Sequence, residues 1–194
     1  MTRRGSYSKG IAKREEILET ALELVARVGY GRTTVRELAD AAGLSQTGLL
    51  HYFGSKEELF TAILARRDAA DRAAFLAPDT PPELPAGLVR LIRHNAEVPG
   101  LVELYTRFSA EAIRPEHPAH PHFRDRYREI RRLIADAVGD LQRAGQLRTD
   151  IEPERFAVLA VALLDGLQVQ WLYDQEVDMA EHLTHLWALL TPRS

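Results

Sequence analysis

The fold is decided by the stretch TTVRELADAAGLSQTGLLHYFGSKEELF, residues 33–60. Thr34 followed by Glu37 has the spacing of a capping box, in which each residue satisfies a backbone N–H group of the other at a helix start. Gly43 supplies a residue that tolerates the left-handed conformation at a helix end, and Ser45 is a preferred N-cap for the helix that follows. The stretch therefore predicts two short helices joined by a tight turn, which is the helix-turn-helix arrangement.

The segments on either side extend the helical pattern. Residues 11–28 place apolar side chains three and four positions apart, which predicts an amphipathic helix that ends at Gly29. Ser55 and Glu58 have the spacing of another capping box and predict a longer helix that runs to about residue 75. We therefore expect a three-helix unit, with the helix-turn-helix at its centre, over the first 54 residues.

The rest of the chain predicts further helices and no strands. Prolines mark residues 77–85, APDTPPELP, as a connector and residues 114–121, RPEHPAHP, as a second break. The apolar spacing elsewhere predicts helices over residues 86–96, 99–113, 122–144, 153–174 and 177–190. The predicted fold class is all-α, with an N-terminal helix-turn-helix domain at 1–54 and a C-terminal helical domain at 55–194.

The pattern over residues 11–62 resembles the TetR family of bacterial transcriptional regulators. The positions that carry the resemblance lie across three helices: Gly29, Tyr30, Thr33, Thr34, Val35, Leu38, Ala39, Ala42, Gly43, Ser45, Leu49, Tyr52, Phe53, Lys56, Glu57, Leu59 and Phe60. Leu50 departs from the family, which usually has an aromatic residue there that touches the DNA backbone. The segment LLDGLQVQW at 163–171 is similar to the final helices of one subgroup. The resemblance implies a homodimer that represses promoters until a small molecule binds its C-terminal part.

The second helix of the motif carries the side chains expected to read the operator. Gln46 and Thr47 in its first turn share a face with Leu50 and His51 one turn later. A recognition helix meets base edges with such a face near its N-terminus. An amide pairs bidentately with adenine, and a threonine methyl contacts thymine. The alternative is a set of ordinary solvated residues on a small helix.

Phosphate contacts are expected around this helix. Tyr52 and Lys56 offer a hydroxyl and a point charge, which fix register without reading sequence. The basic block at 1–14 contains no acid and is either an electrostatic arm or a solvated tail. The N–H groups of Thr34 and Val35 present a helix N-terminus to phosphate. The predicted DNA-binding set is Arg3, Arg4, Thr33, Thr34, Ser45, Gln46, Thr47, Gly48, Leu50, His51, Tyr52 and Lys56.

The helix predicted from residue 153 is apolar nearly all round between Phe156 and Leu172. A helix that is apolar on every side must be buried on every side. Together with the 122–144 helix, it predicts a four-helix interface between two copies of the chain across a two-fold axis. The alternative is a central helix inside a monomer.

Aromatic residues with polar tips lie on the helices of the C-terminal part. Aromatic walls with a few convergent polar groups are typical of a small-molecule pocket, although core aromatics with satisfied hydroxyls give the same pattern. The resemblance favours the pocket, because the family places its effector there. If these faces meet around a cavity, ring contacts and one or two polar groups favour a partly aromatic or amphiphilic ligand. The predicted ligand-binding set is Tyr105, Phe108, Glu111, Phe123, Tyr127, Gln168 and Trp171.

The segment His117-Pro-Ala-His120-Pro-His122 suggests an alternative function. Its imidazoles are candidate ligands for zinc or nickel, but a capped loop or a pocket wall explains them as well, and no metal site is assigned. The alternative is a ligand- or metal-sensing helical protein without operator binding, and a small helical enzyme using this cluster comes third. The enzyme motifs for nucleophilic, phosphate-binding or zinc chemistry are absent, so neither an enzyme nor a cofactor is expected.

The composition is that of an ordinary globular protein, with 45% hydrophobic and 27% charged residues and a net charge of −3. Without cysteine the chain forms no disulfide, which fits a reducing interior. No apolar run approaches the roughly 18 residues of a membrane helix, and we expect no secretion signal at the N-terminus. We therefore expect a cytoplasmic protein with no membrane partner.

Overall fold

The structure, a computed structural model, describes residues 3–76 and 84–191, with side chains described from Lys9 onward. Within these ranges no strand is present, and the all-α prediction is confirmed. The α-helices are α1 (Arg3–Val28), α2 (Val35–Ala41), α3 (Gln46–Phe53), α4 (Lys56–Asp71), α5 (Leu84–Glu97), α6 (Pro99–Glu111), α7 (His120–Arg143), α8 (Pro153–Tyr173) and α9 (Met179–Ala188). A 3-10 helix at Tyr30–Arg32 links α1 to α2.

The local signals of the helix-turn-helix are confirmed. The Thr34 hydroxyl accepts a hydrogen bond from the Glu37 N–H at 3.2 Å, and the Thr34 N–H donates to the Glu37 carboxylate at 2.8 Å. These bonds to the carboxylate lower the pKa of Glu37. Ser45 caps α3 by accepting from the Gly48 N–H at 3.0 Å, and Gly43 has a φ of 68° between the two helices. The turn is therefore held by side-chain caps and by one left-handed glycine.

Two helix boundaries differ from the prediction. α1 begins at Arg3 rather than near residue 11, because the polar and glycine-containing segment before Ile11 has no proline to stop the helix. The helix that follows Ser55 ends in a π-helical turn, Arg72–Leu76, whose Phe75 carbonyl oxygen packs against Gly87. Most of the predicted 77–85 connector lies outside the described residues, and its last two residues begin α5.

The chain forms two compact units that do not follow the predicted division at residue 54. The N-terminal unit comprises Met1–Ala69 and Val98–His120, and therefore contains α6. Tyr30 explains this, because its ring meets Phe60 edge-on at 4.9 Å and Phe108 of α6 at 6.2 Å. The aromatic packing of the helix-turn-helix is thus completed by a segment some eighty residues further along the chain.

The C-terminal unit comprises Ala70–Glu97 and Pro121–Ser194, and α9 packs against both α5 and α8 within it. The ring centroids of Phe156 and Trp187 lie 5.4 Å apart. The Gln142 amide donates to the carbonyl oxygens of Arg148 at 2.9 Å and Ile151 at 2.8 Å. This amide fixes the connection between α7 and α8.

By length and composition, α8 is a helix that could cross a membrane, contrary to the expectation that no apolar run approaches the length of a membrane helix. Within the described residues, however, Phe156, Ala160, Leu164 and Leu167 of α8 are buried in the protein. The core helix of a globular protein has the same length and composition, so this resemblance to a membrane span is weak evidence.

Candidate nucleic-acid interface and effector site

Helix α3 exposes a short polar face and buries its apolar one. Gln46, Thr47 and His51 are exposed, whereas Leu49 is fully buried and Phe53 is 7% exposed. Two of the other predicted contacts on this helix, Leu50 and Tyr52, are half-buried. The described side chains therefore leave an amide, a hydroxyl with a methyl, and an imidazole facing solvent. These groups have the donors, acceptors and apolar contact that base edges in a major groove require.

Thr33 stays a predicted DNA contact, but its side chain is bound to the backbone of the turn after α1. Its side chain is only 5% exposed, and its hydroxyl donates a 2.6 Å hydrogen bond to the Gly29 carbonyl oxygen. A hydroxyl committed to the backbone in this way closes the turn after α1.

The predicted phosphate site at the start of α2 is also partly occupied. The Glu37 carboxylate accepts from both the N–H and the hydroxyl of Thr34, at 2.8 and 2.9 Å. A phosphate would meet this negative charge and would have to displace it before reaching the Thr34 N–H. Capping by Glu37 therefore competes with the anion site that the free helix N-terminus would provide.

The remaining predicted DNA contacts lie at exposed or half-buried positions. Lys56 is exposed, with its ammonium 5.7 Å from the Phe60 ring centroid. Ser45 is exposed and Gly48 is half-buried beside its hydroxyl. Arg3 and Arg4 open α1, and their side chains lie outside the described ones. The backbone of the predicted basic arm is thus helical from Arg3 onward.

A polar cluster that the sequence did not reveal holds α6 against the turn after α1. The Tyr30 hydroxyl donates to the Glu111 carboxylate at 3.2 Å, and the Arg107 guanidinium lies 5.5 Å from the Tyr30 ring centroid. Arg107 also pairs with Glu103 at 2.9 Å. Burial, reinforced by the Glu111 charge, raises the pKa of Tyr30 to about 12. Sequence spacing could not reveal this cluster, because its members lie far apart in the chain.

Glu111 was predicted to line the effector pocket, and this stays a prediction. It is exposed and accepts the Tyr30 hydrogen bond. Tyr105 and Phe108 of the same helix are 6% and 1% exposed. The Phe108 ring packs near Phe60 at 6.1 Å and His117 at 5.3 Å, which is the contact set of a core aromatic.

The predicted ligand-binding residues on α7 and α8 lie on faces that meet. The Tyr127 hydroxyl donates to the Asp165 carboxylate at 2.8 Å. Phe123 lies one turn before Tyr127, and Gln168 lies one turn after Asp165, so both are near this bond. Phe123, Gln168 and Trp171 are 4%, 8% and 5% exposed. Asp165 was missed in the sequence, although a carboxylate within an apolar helix was a visible signal.

The histidine segment forms a capped turn before α7. The His117 Nδ1 accepts from the Ala119 N–H at 3.2 Å. The His120 Nδ1 lies 3.0 Å from the Ala112 carbonyl oxygen, to which it donates when protonated. Across the described residues, no three His, Asp or Glu side chains are grouped so that they could hold a metal ion. These contacts favour the capped loop among the three interpretations of the segment.

The solvent-facing side of α8 is apolar over most of its length. Val158 is 49%, Leu159 66%, Val169 40% and Tyr173 92% exposed. With Ala162 and Gly166 these residues follow helical spacing along one stripe. A Cβ added to Gly166 would meet nothing within 4 Å. Exposed apolar stripes of this kind are typical of interaction surfaces.

Comparisons with known proteins match both parts of the chain. The family model "Bacterial regulatory proteins, tetR family" matches residues 17–63, and "BetI-type transcriptional repressor, C-terminal" matches residues 85–190. The HTH-type transcriptional repressor AcnR from Corynebacterium glutamicum is 36% identical over 158 residues, covering 79% of this chain and 78% of AcnR. The HTH-type transcriptional regulator BetI from Rhizobium meliloti is 30% identical over 176 residues, covering 81% and 77%.

A solved structure of a transcriptional regulator from Saccharomonospora viridis in complex with choline is also similar. It has a TM-score of 0.73 and 25% identity, and the match covers 93% of this chain and 98% of that one. The similarity therefore extends over the N-terminal and the C-terminal helices alike.

Proposed function

The chain belongs to the TetR family of bacterial transcriptional regulators, and we propose that it is a homodimeric repressor, released from a palindromic operator by a small molecule. The observation that carries this proposal is the exposed face of α3, with Gln46, Thr47 and His51 above the buried Leu49. The relatives described above are named as a transcriptional repressor and a transcriptional regulator, not as enzymes. We place the protein in the cytoplasm, where operator DNA is accessible.

On DNA, α3 is the recognition helix. Its first turn enters the major groove, where Gln46 and Thr47 meet base edges. Tyr52, Lys56 and the basic start of α1 contact phosphates and set the register. The exposed charge of Lys56 and the position of α1 in the N-terminal unit support these roles. Operator binding therefore falls steeply with salt, as for any protein that displaces counterions.

The partner for the α8 stripe is a second copy of the chain. Repressors of this type read two half-sites about 34–36 Å apart, which requires two recognition helices related by a two-fold axis. When two copies of α8 pack across that axis, the stripe from Val158 to Tyr173 on one copy covers the same stripe on the other. Gly166, with open space around it, lets the two helices approach closely.

The effector binds near the Tyr127–Asp165 hydrogen bond in the C-terminal unit. A carboxylate beside Tyr127 suits a small cation, because an aromatic face and a negative charge both attract quaternary ammonium groups. The choline bound in the similar Saccharomonospora viridis structure and the BetI-type match make choline the first probe. Effector binding reduces operator affinity by a coupling of about 1–3 kcal/mol, or roughly 5–150-fold.

The test is a binding selection followed by a competition. The purified protein selects duplexes from a random-sequence pool, and we expect a palindrome that it binds more tightly than random DNA, with a steep salt dependence. Choline is then titrated into the complex, and we expect release. Equal affinity for every duplex would favour the alternative of a ligand-sensing protein without operator binding. If the protein binds a palindrome but choline does not release it, choline is rejected as the effector and the operator-binding proposal stands.

A further inference from the structure

Helix α3 leaves one large apolar side chain partly exposed among its polar ones. This side chain belongs to Leu50, which is half-buried, whereas the neighbouring Leu49 is fully buried. Thr47 lies three residues before Leu50 and four before His51, so these three residues share one side of the helix. The apolar surface of Leu50 is therefore available to whatever this side of α3 contacts.

The packing of α3 keeps Leu50 on the exposed side. Leu49 and Phe53 occupy the core beneath the helix, at 0% and 7% exposure. The Arg14 guanidinium of α1 lies 4.8 Å from the centroid of the Phe53 ring and covers its face. A rotation that buried Leu50 would have to expose these two apolar side chains, which is unfavourable. The position of Leu50 on α3 is thus set by the core and not by its own side chain.

The chemistry of Leu50 restricts what it can contact on DNA. Its side chain has no hydrogen-bond donor or acceptor, so it cannot bond a phosphate oxygen in the way that register-setting side chains do. Among the groups that base pairs present in the major groove, the apolar one is the C5-methyl group of thymine. Against any other base edge, Leu50 would displace water without replacing the lost hydrogen bonds. Thymine is therefore the base that Leu50 favours.

The other residues of α3 favour A·T pairs as well. The helix, QTGLLHYF, contains neither arginine nor lysine, which are the residues that most often bind guanine. Gln46 offers an amide that suits adenine, and Thr47 offers a methyl group that suits thymine. Thr47 and Leu50 are separated by about 4.5 Å along the helix axis, which is comparable with the step of about 3.4 Å between base pairs. Their methyl groups are therefore spaced for neighbouring base pairs.

We propose that Leu50 is a specificity-determining residue, which reads the C5-methyl group of a thymine in each half-site, beside a second thymine methyl group that Thr47 contacts. The inference rests on the proposed function, since it names the base that the recognition helix reads. It implies half-sites with thymines at two neighbouring base pairs under α3. Because the contact of Leu50 carries no charge, its contribution to affinity does not depend on salt, unlike the phosphate contacts.

The experiment replaces thymine by uracil, which lacks the C5-methyl group and keeps the same base pairing. Each thymine of the selected palindrome is replaced in turn, in both half-sites at once. We expect the wild type to lose about fourfold for each methyl contact, or roughly 15-fold for the two half-sites together, at two neighbouring positions. The ratio of affinities for the thymine and uracil duplexes should stay constant over a salt series.

Variants of the protein then assign each position. Leu50→Ala should lose less than about twofold on uracil substitution at one of the two positions and should keep the wild-type loss at the other. Thr47→Ser, which removes a methyl group but keeps the hydroxyl, should show the reverse. Leu50→Val is a milder variant and should reduce the loss at the same position as Leu50→Ala.

The control removes an apolar side chain elsewhere. Leu189→Ala truncates a leucine that is 55% exposed at the C-cap of α9, and it should match the wild type on every duplex. Circular dichroism at the working temperature shows that each variant is folded. Each variant is compared with itself on two duplexes, so a general loss of affinity cancels in the ratio.

The outcomes separate this role from operator binding itself. A wild type that tolerates uracil at every thymine, or a selected half-site without thymine, would overturn the methyl contact. Leu50 variants that keep the wild-type loss at both positions would overturn the role of Leu50, because its side chain would then act only in packing. Equal affinity of the wild type for every duplex in the selection would instead overturn the proposed function, and the role of Leu50 with it.

Discussion

The Tyr30 hydroxyl donates a hydrogen bond to the carboxylate of Glu111, a residue 81 positions further along the chain. This bond joins the turn before the helix-turn-helix to α6. Burial is the larger cause and the Glu111 charge the next, and together they raise the pKa of Tyr30 from 10.0 to about 12.

We predict that Tyr30 ionises at about pH 12 in the folded protein. The folded-state pKa lies above the unfolded one, so the contribution of Tyr30 to stability is fully present below pH 10 and is lost as pH rises through 12. The difference in phenolate absorbance between the wild type and Tyr30→Phe measures this group alone. A difference spectrum with a midpoint near pH 10, while circular dichroism still shows folded helix, would contradict the prediction.

Base-reading and phosphate-binding residues should differ in their response to sequence and salt. Gln46→Ala and Thr47→Ala should each weaken operator binding by about 1–3 kcal/mol and leave random DNA nearly unaffected. Lys56→Ala should weaken binding to operator and to random DNA alike. It should also reduce the slope of log affinity against log salt concentration by about one. Fluorescence anisotropy over a salt series measures all three. An equal loss on operator and random DNA would remove the base-reading role of Gln46 and Thr47.

The α8 stripe should control dimerisation. Leu159→Glu places a charge in the proposed interface and should weaken the dimer by at least about 3 kcal/mol, or roughly 100-fold, because a buried unpaired carboxylate is costly. The matched control is Leu189→Glu at the C-cap of α9, since Leu189 is 55% exposed but lies outside the stripe. Sedimentation velocity over a concentration series measures both variants. A wild type that remains monomeric at micromolar concentration would defeat the dimer proposal.

Two helical glycines should respond oppositely to an added methyl group. Gly100→Ala should lower the free energy of unfolding by about 1–3 kcal/mol, because its Cβ collides with α1 backbone. Gly10→Ala meets nothing within 4 Å and should leave stability unchanged or raise it by up to about 1 kcal/mol through helix propensity. Urea unfolding at one protein concentration compares them. Equal stabilities for the two variants would mean that α6 does not pack this closely on α1.

The effector site should be visible in tryptophan fluorescence. The chain has 2 tryptophans, so Trp187→Phe leaves Trp171 as the sole reporter. We expect choline to change its emission and Asp165→Asn to lower the apparent affinity by about tenfold or more, because the amide removes the negative charge that attracts the cation. Asp174→Asn, an exposed carboxylate beyond the end of α8, serves as the control. An unchanged affinity in Asp165→Asn would place the cation elsewhere.

The sequence predicted the helix-turn-helix well because its determinants are local. The Thr34–Glu37 box, the Ser45 cap and the left-handed Gly43 act within three or four residues, and each was confirmed. The end of α4 was less predictable. Its last turn is π-helical at Arg72–Leu76, and propensity gives no signal for a change in hydrogen-bond register.

The roles that were missed depend on contacts between distant segments. The hydrogen bond from Thr33 to the Gly29 carbonyl oxygen and the one from Tyr30 to Glu111 were not predicted. Asp165 was overlooked because its partner, Tyr127, lies on another helix. The helical spacing of a single segment shows which residues share a face, but it does not show which other helix packs against that face.

The discontinuous N-terminal unit has a consequence for modular exchange. A chimera that grafts only residues 1–54 or 1–69 onto a relative would separate Tyr30 from Phe108 and Glu111, and α1 from Gly100. The transferred DNA-binding segment would then pack against the α6 of the relative, whose side chains are not matched to the turn at Gly29 and Gly31. A chimera that preserves the N-terminal unit must therefore also carry residues 98–120, which are its second segment of the chain.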